Sequence, residues 1–327
     1  MTERLPATSA GIRRAALLLR QGGLVAFGTE TVYGLGAIAT DERAVASIFD
    51  AKGRPHFNPL ICHYPDAEAA SADVEFDARA RALADAFWPG PVTLVLPRRG
   101  TSRIALLAGA GLSTVAVRVP AGDAARALLQ ATGLPVAAPS ANRSGRISPT
   151  TATDVIEELD GRIAAVLDSG PCAVGLESSV VDLTGPMPFL LRPGGLGTEA
   201  IEAVIGTVAR GITPGAAEAA RGLRSPGLMV SHYAPVLPVR LDAAGVAASE
   251  ALLAFGAALP GAGLAWNLSP TGNLTEAAAR LFAGLRFLDH EGRRLGLTRI
   301  AAMTVPDRGL GTAIRDRLER AAAPRSG

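Results

Sequence analysis

Between residues 24 and 195 the chain is cut into short apolar runs of four to six residues by glycine, proline and polar clusters. That segmentation constrains the fold more than any other feature. LVAF (24–27), PLICHY (59–64), VTLVL (92–96), TVAVRV (114–119), AAVLD (164–168), SSVVDL (178–183) and FLLR (189–192) are too short for core helices. Each reads as a strand, and PVAAPSA (135–141) begins as one. Helical patterns lie between them: from Ser9, read as a cap, to about Gln21, and from the cap Asp41 to Ala51, with Gly53 as the stop. Further helices read over 77–87, 121–132, 151–159 and 197–206. Interleaved strands and helices imply a mixed sheet covered by helices. Residues 209–235 are rich in glycine, proline and small residues and read as a linker. Beyond them a second pattern appears: strand VRLD, a helix near 246–254, strand GLAWNL, helix 275–289, strand RIAAMTV and helix 311–323. That alternation implies a small parallel α/β sheet. The expected division is 1–208, a linker over 209–235, and 236–327.

Composition bounds the rest. At 327 residues and 48% hydrophobic, the chain can bury a large core and is not a disordered or fibrous protein. No apolar run reaches the ~18 residues that span a bilayer, and the N-terminus lacks the apolar region of a signal peptide. Two cysteines, Cys62 and Cys172, supply neither a disulfide framework nor a cysteine cage for zinc. A reducing, cytoplasmic setting is expected. Net charge is +2. Residues 1–208 hold 18 Lys+Arg and 21 Asp+Glu, and residues 209–327 hold 14 and 9. The basic excess of the last third reads first as solvated surface and second as a nucleic-acid contact.

Of 32 basic residues only Lys52 is a lysine. Lysine sets a compact point charge where arginine sets a planar fork. Chance survival at a helix end competes with a functional reason. A P-loop is absent, because Lys52 is followed by glycine and Arg54 rather than Ser or Thr. GGLGTEA (194–200) and GLGTAI (309–314) do not complete a dinucleotide fingerprint. His56, His63, His232 and His290 lack metal-ligand spacing, and there is no nucleophile elbow.

Four polar, glycine-rich segments carry the remaining chemistry. Residues 28–36 leave a strand and set hydroxyls beside glycines, as an ordinary turn or as a ligand cradle. Residues 52–60 place two cations one residue apart at a helix end, stiffened by Pro55 and Pro59. A helix C-terminus favours cations in any case, but the stiffened loop suits an anion. Residues 139–150 run from strand-end hydroxyls into Arg143 and Arg146, as a turn or as a site at a strand end. Residues 177–179 and 191–194 set two serines against an arginine, which a hairpin would bring together.

Taken together, TETVYGLG (29–36), KGRPHFNPL (52–60), PSANRSGRISPT (139–150), ESSVVDL (177–183) and LRPG from Leu191 resemble the L-threonylcarbamoyladenylate synthase family. SPGLMVSHYAP (225–235) and the helix GLGTAIRDRLERAA resemble its two-domain members. The resemblance implies a YrdC-like catalytic domain, with a mixed twisted sheet, followed by a smaller Rossmann-like parallel domain. It implies condensation of L-threonine, bicarbonate and ATP, with Mg²⁺, into threonylcarbamoyl-AMP and pyrophosphate. The product serves the threonylcarbamoyl modification of tRNA next to the anticodon, through a downstream transferase machinery. By the same resemblance Lys52, Arg54, Ser140 and Asn142 form the catalytic tetrad. Asn58, Thr114, Ser148, Arg192 and the linker's Tyr233 join Lys52, Arg54 and Ser140 on the ATP side. Thr31, His63, Arg118, Ser178 and the Ala138 backbone form the threonine side, and no residue is assigned to a metal. Two departures stand out. Gly28 replaces the family's usual proline and is expected to loosen a turn, and residues 228–231 lack the linker's usual basic or aromatic residues. A non-catalytic module binding double-stranded RNA is the reading of a different class. RNA binding with steep salt dependence and no ATP turnover would mark it. The C-terminal part is expected to regulate the site or control a lid over it.

Overall fold

The computed structural model describes residues 1–54, 58–210 and 232–324. The N-terminal part runs β1 (Glu3–Pro6), α1 (Ser9–Arg20), β2 (Val25–Gly28), β3 (Tyr33–Ile38), α2 (Glu42–Lys52), β4 (Ile61–His63), α3 (Ala67–Ser71), α4 (Ala78–Phe87) and β5 (Val92–Pro97). It continues with β6 (Thr114–Arg118), α5 (Asp123–Thr132), β7 (Val136–Ala137), α6 (Ala152–Leu159), β8 (Ala165–Asp168), β9 (Ser179–Asp182), β10 (Phe189–Arg192) and α7 (Thr198–Ile205). Its ten strands form one sheet in the order β1-β8-β2-β3-β7-β4-β6-β5-β9-β10. Parallel pairs (β4 with β6, β5 with β9) alternate with antiparallel ones (β2 with β3, β5 with β6), which makes the sheet mixed, as expected.

The helices lie where capping chemistry and apolar spacing put them. Thr8, one residue before the expected cap, accepts from the Gly11 amide at 3.3 Å and starts α1. Asp41 accepts from the Arg43 and Ala44 amides at 2.8 and 3.2 Å. Gly53 ends α2 at φ 59°, a left-handed conformation suited to glycine. Along α2, Val45, Ile48, Phe49 and Lys52 are all buried, at helical positions i, i+3, i+4 and i+7. Lys52 therefore ends an inward-facing stripe.

The C-terminal part holds β11 (Val239–Arg240), β12 (Glu250–Ala254), β13 (Ala265–Asn267), α8 (Leu274–Arg294), β14 (Arg299–Ala302) and α9 (Leu310–Ala322). Its four strands are parallel, in the order β11-β14-β12-β13. The expected helix near 246–254 is instead strand β12. Glu250 to Ala254 is wholly buried between β13 and β14, and burial as a central parallel strand overrides the helix propensity of an Ala- and Leu-rich run. A second correction concerns Gly28 and residues 33–36. Gly28 ends β2, and a Cβ there would lie 2.3 Å from the Ser169 hydroxyl and 2.9 Å from the Tyr33 ring. The glycine permits that close approach. Residues 33–36 open β3 and are not loop.

One apolar cluster joins Val32, Ile147 and Leu176 to Tyr233, Leu237, Leu281, Phe282 and Ile314, so the two parts share a core. Each large side chain buried there contributes about 1.5–3 kcal/mol. Most of the expected linker, residues 211–231, lies outside the described residues, as do Pro55, His56 and Phe57. Among the described residues no helix is long and apolar enough to cross a membrane.

Candidate active site

Strand ends and the loops after them converge on a cavity lined by Thr29, Thr31, Val32, Gly34, Arg54, Ile61, His63, Arg118, Ala138, Pro139, Ser140, Glu177, Ser178, Arg192, His232 and Tyr233. The four polar, glycine-rich segments thus meet at one place. Nine of the fourteen expected site residues line it: Thr31, Arg54, His63, Arg118, Ala138, Ser140, Ser178, Arg192 and Tyr233.

Four others support the lining. The Lys52 ammonium, carried inward by α2, donates to the Ser140 carbonyl at 2.5 Å and to the Asn142 carbonyl. It clamps the loop that follows β7 onto the end of α2, and the Ser144 amide returns a bond to the Lys52 carbonyl at 2.9 Å. The Asn142 side-chain amide donates to the Arg143 and Arg146 carbonyls at 2.7 and 2.9 Å. Arg54 reaches back to the Asn58 and Pro59 carbonyls at 3.4 and 3.2 Å. Ser148 donates to Glu177 Oε1 at 2.5 Å. Thr114 is the exception. It opens β6, four residues before Arg118, and is not among the lining residues.

The electrostatics follow from burial. Lys52, Arg54 and Arg192 are 3%, 7% and 3% exposed, which concentrates positive charge away from water. Burial pushes the Lys52 ammonium well below its ordinary value. Arg54 pushes it further down, and Glu158 opposes. Arg54 is lowered to about 10, chiefly by burial. His63 is pushed down to about 3 by burial and by Arg118, so it is neutral at physiological pH. His232 is lowered by burial and by the cations Arg54, Lys52 and Arg192.

Along the stretch of lining formed by Thr31, His63, Arg118 and Ser178 the side chains are already engaged. Thr31 and Thr29 hydroxyls lie 2.8 Å apart, and Ser178 and Thr93 hydroxyls 2.7 Å apart. His63 Nδ1 lies 3.2 Å from the Ile61 carbonyl. Arg118 donates to Glu30 at 2.6 Å and to the Gly90 carbonyl at 3.2 Å. The carboxylate beside that guanidinium is thus the chain's own. The β9–β10 hairpin brings Arg192 onto the Ser178 carbonyl at 2.9 Å and its hydroxyl at 3.3 Å, the juxtaposition anticipated from the sequence.

Glu30, Glu177, His232 and Arg317 escaped sequence reasoning as site residues. Glu177 carried a faint signal, an acid directly before a buried strand. Arg317, one of 31 arginines, carried none.

Comparisons with known proteins identify the family. Residues 17–194 match a family model described as "Telomere recombination", which unites Sua5, YciO and YrdC proteins. Residues 196–323 match "Threonylcarbamoyl-AMP synthase, C-terminal domain". The threonylcarbamoyl-AMP synthase of Bacillus subtilis is 39% identical over 99% of this chain and 96% of its own length. That of Pyrococcus abyssi is 42% identical over 96% and 94%. A crystal structure of P. abyssi Sua5 complexed with L-threonine superposes with a TM-score of 0.88 at 38% identity, covering 98% of this chain and 97% of that one. E. coli YciO shares the fold of the N-terminal part, with a TM-score of 0.54 at 22% identity over 59% of this chain. By fold and full-length similarity, this chain is an enzyme of the threonylcarbamoyl-AMP synthase family, in its two-domain form.

Proposed function

We propose that the protein condenses L-threonine, bicarbonate and ATP into threonylcarbamoyl-AMP and pyrophosphate. The observation that carries this reading is the meeting of three buried cations with hydrogen-bonding atoms that have no partner. Arg54 Nε, both Asn58 amide atoms, Asn142 Oδ1, His232 Nδ1 and the Tyr233 hydroxyl are buried and unpaired. Each such group costs about 1–3 kcal/mol unless a ligand satisfies it. Buried positive charge with open hydrogen-bonding positions suits a polyanion such as a triphosphate.

Bicarbonate takes up a proton and loses water to give carbon dioxide, and the threonine amine adds to that carbon and releases a proton, leaving a carbamate. A carbamate oxygen then attacks the α-phosphorus. The bond from that phosphorus to the bridging oxygen breaks, and pyrophosphate leaves. Both partners are anions, so the protein's work is to neutralise and align them. Lys52, Arg54 and Arg192 supply the charge, Ser140, Asn142 and Asn58 supply hydrogen bonds, and Tyr233 closes the nucleotide side. Thr31, His63, Arg118, Ser178 and the Ala138 backbone hold threonine, with Arg118, already fixed by Glu30, nearest in character to a carboxylate partner. Thr114 joins the ATP side only if nucleotide binding extends the site along β6.

Magnesium enters with ATP. Phosphate oxygens and water would supply most of its ligands. The product then serves tRNA modification beside the anticodon. Purified protein given threonine, bicarbonate, Mg²⁺ and ATP should release pyrophosphate only when threonine is present. Release that ignores threonine would refute the reading.

A further inference from the structure

An arginine from the C-terminal part reaches two residues of the cavity lining, Glu177 and Tyr233. Arg317, on α9, is 0% exposed. Its Nε donates to Glu177 Oε2 at 3.0 Å, and its Nη1 donates to the Pro193 carbonyl at 2.8 Å and to Asp316 at 2.6 Å. Its guanidinium carbon lies 5.2 Å from the Tyr233 ring centroid, and Tyr233 stacks on Phe282 of α8 at 5.5 Å. Tyr233 holds a left-handed backbone, φ 60°, which a bulky residue adopts only when its surroundings impose it.

Glu177 is the partner that matters. It is 5% exposed, lines the cavity, and orients the Ser148 hydroxyl through its other oxygen. Burial alone would raise its carboxyl. Arg317, Arg192 and Ser148 together outweigh burial and hold it below the ordinary value, so the carboxylate stays charged. A carboxylate inside a cavity built for phosphates repels them unless a counter-charge sits on its far side. Pro193, which Arg317 also holds, directly follows Arg192.

We propose that Arg317 is a positioning residue for the ATP reaction: it neutralises and fixes Glu177 and backs Tyr233, so the C-terminal part completes the nucleotide site. The inference rests on the ATP-dependent reading above. Its consequence is specific. Without Arg317 the obstacle is the unpaired Glu177 charge, so removing that charge should restore what was lost.

Full-length wild type, Arg317→Met, Glu177→Gln and the double variant are compared for ATP affinity by calorimetry and for the KM values of ATP and threonine. Arg317→Met should weaken ATP binding about tenfold or more, the order expected of one uncompensated buried charge near a phosphate. The threonine KM should move less. Adding Glu177→Gln should recover much of the lost ATP affinity, which loss of domain packing alone would not allow. A folded Arg317→Met protein with wild-type ATP affinity overturns the inference, and so does a double variant no better than Arg317→Met. Should Arg317→Met fail to fold, Arg317→Lys decides. It keeps a positive charge beside Glu177 and should retain most of the affinity, and a tenfold loss in the folded Lys variant overturns the charge argument. A wild type that binds ATP but releases no threonine-dependent pyrophosphate refutes the proposed reaction while leaving the affinity comparison intact.

Discussion

The two walls of the cavity are built on opposite terms. On the wall of Thr31, His63, Arg118 and Ser178, every one of these side chains already has a partner within the chain. By contrast, His232 and Tyr233 of the lining, and Asn58 and Asn142 behind it, each leave at least one buried atom without one. The first wall is organised before substrate arrives, so little ordering remains to be done on binding. The second carries unmet hydrogen bonds and buried charge, which lowers stability until a ligand answers them. The difference teaches that one cavity can combine a rigid subsite with a destabilised one, and that stability measurements can tell the two apart.

The largest effect should come from the lysine between the walls. Lys52→Ala should reduce threonine-dependent pyrophosphate release at least ~10³-fold, the scale seen when a charge that stabilises a transition state is lost. A lysine at a loop end would be expected to leave the fold untouched on removal. Lys52 is instead buried and holds the Ser140 and Asn142 carbonyls, so chemical denaturation should also register a loss of about 1–3 kcal/mol. Arg118→Met strikes the satisfied wall. It strands Glu30, which is 12% exposed, and should destabilise the ligand-free protein by about 3 kcal/mol in urea denaturation. Asn58→Leu strikes the other wall. It removes two unpaired buried atoms, so the ligand-free protein should gain about 1 kcal/mol while ATP affinity falls. If Arg118→Met and Asn58→Leu shift stability in the same direction, the contrast between the walls is false.

The smallest effect is a pH dependence. His63 has a folded-state pKa of about 3 against an ordinary 6.5. The unfolded chain therefore binds the proton first. Stability is fully present above 6.5 and is lost as pH falls through the window down to about 3. Between about pH 7.5 and 6 the loss is ~0.8 kcal/mol for this one group. His63→Gln should make that slope shallower by this amount, with the part owed to His232 remaining, and an unchanged slope would show that His63 is not buried as a neutral ring.

Local signals made most of the N-terminal part legible. Asp41 and Gly53 mark both ends of α2 in the sequence as they do in the structure. FLLR is read as strand and is β10. Failure came where tertiary context decides. EALLA reads as helix because nothing local announces that two parallel strands will flank it. YGLG reads as turn because its glycines suit one, while their actual use is to let β3 pack closely against the Phe27 ring, Val136 and Ala138. The site divides in the same way. Lys52 stood out because it is the chain's single lysine, and the segments 29–36, 139–150 and 177–179 because strand ends rarely carry so many hydroxyls. Arg317 had no such mark, and Glu177, 140 positions away, only the faint one of an acid before a buried strand. Their meeting depends on how the C-terminal part packs through the core it shares around Tyr233 and Phe282.

The central claim is that the buried cations around Lys52 receive a triphosphate. A structure of the full-length protein with a non-hydrolysable ATP analogue tests it directly. The account predicts the Lys52 ammonium within about 3 Å of a phosphoryl oxygen, with the Asn142 amide oxygen and the Tyr233 hydroxyl newly partnered by the nucleotide or its water. A nucleotide bound elsewhere, with Lys52 still on the Ser140 and Asn142 carbonyls alone and no phosphate beside it, would contradict it.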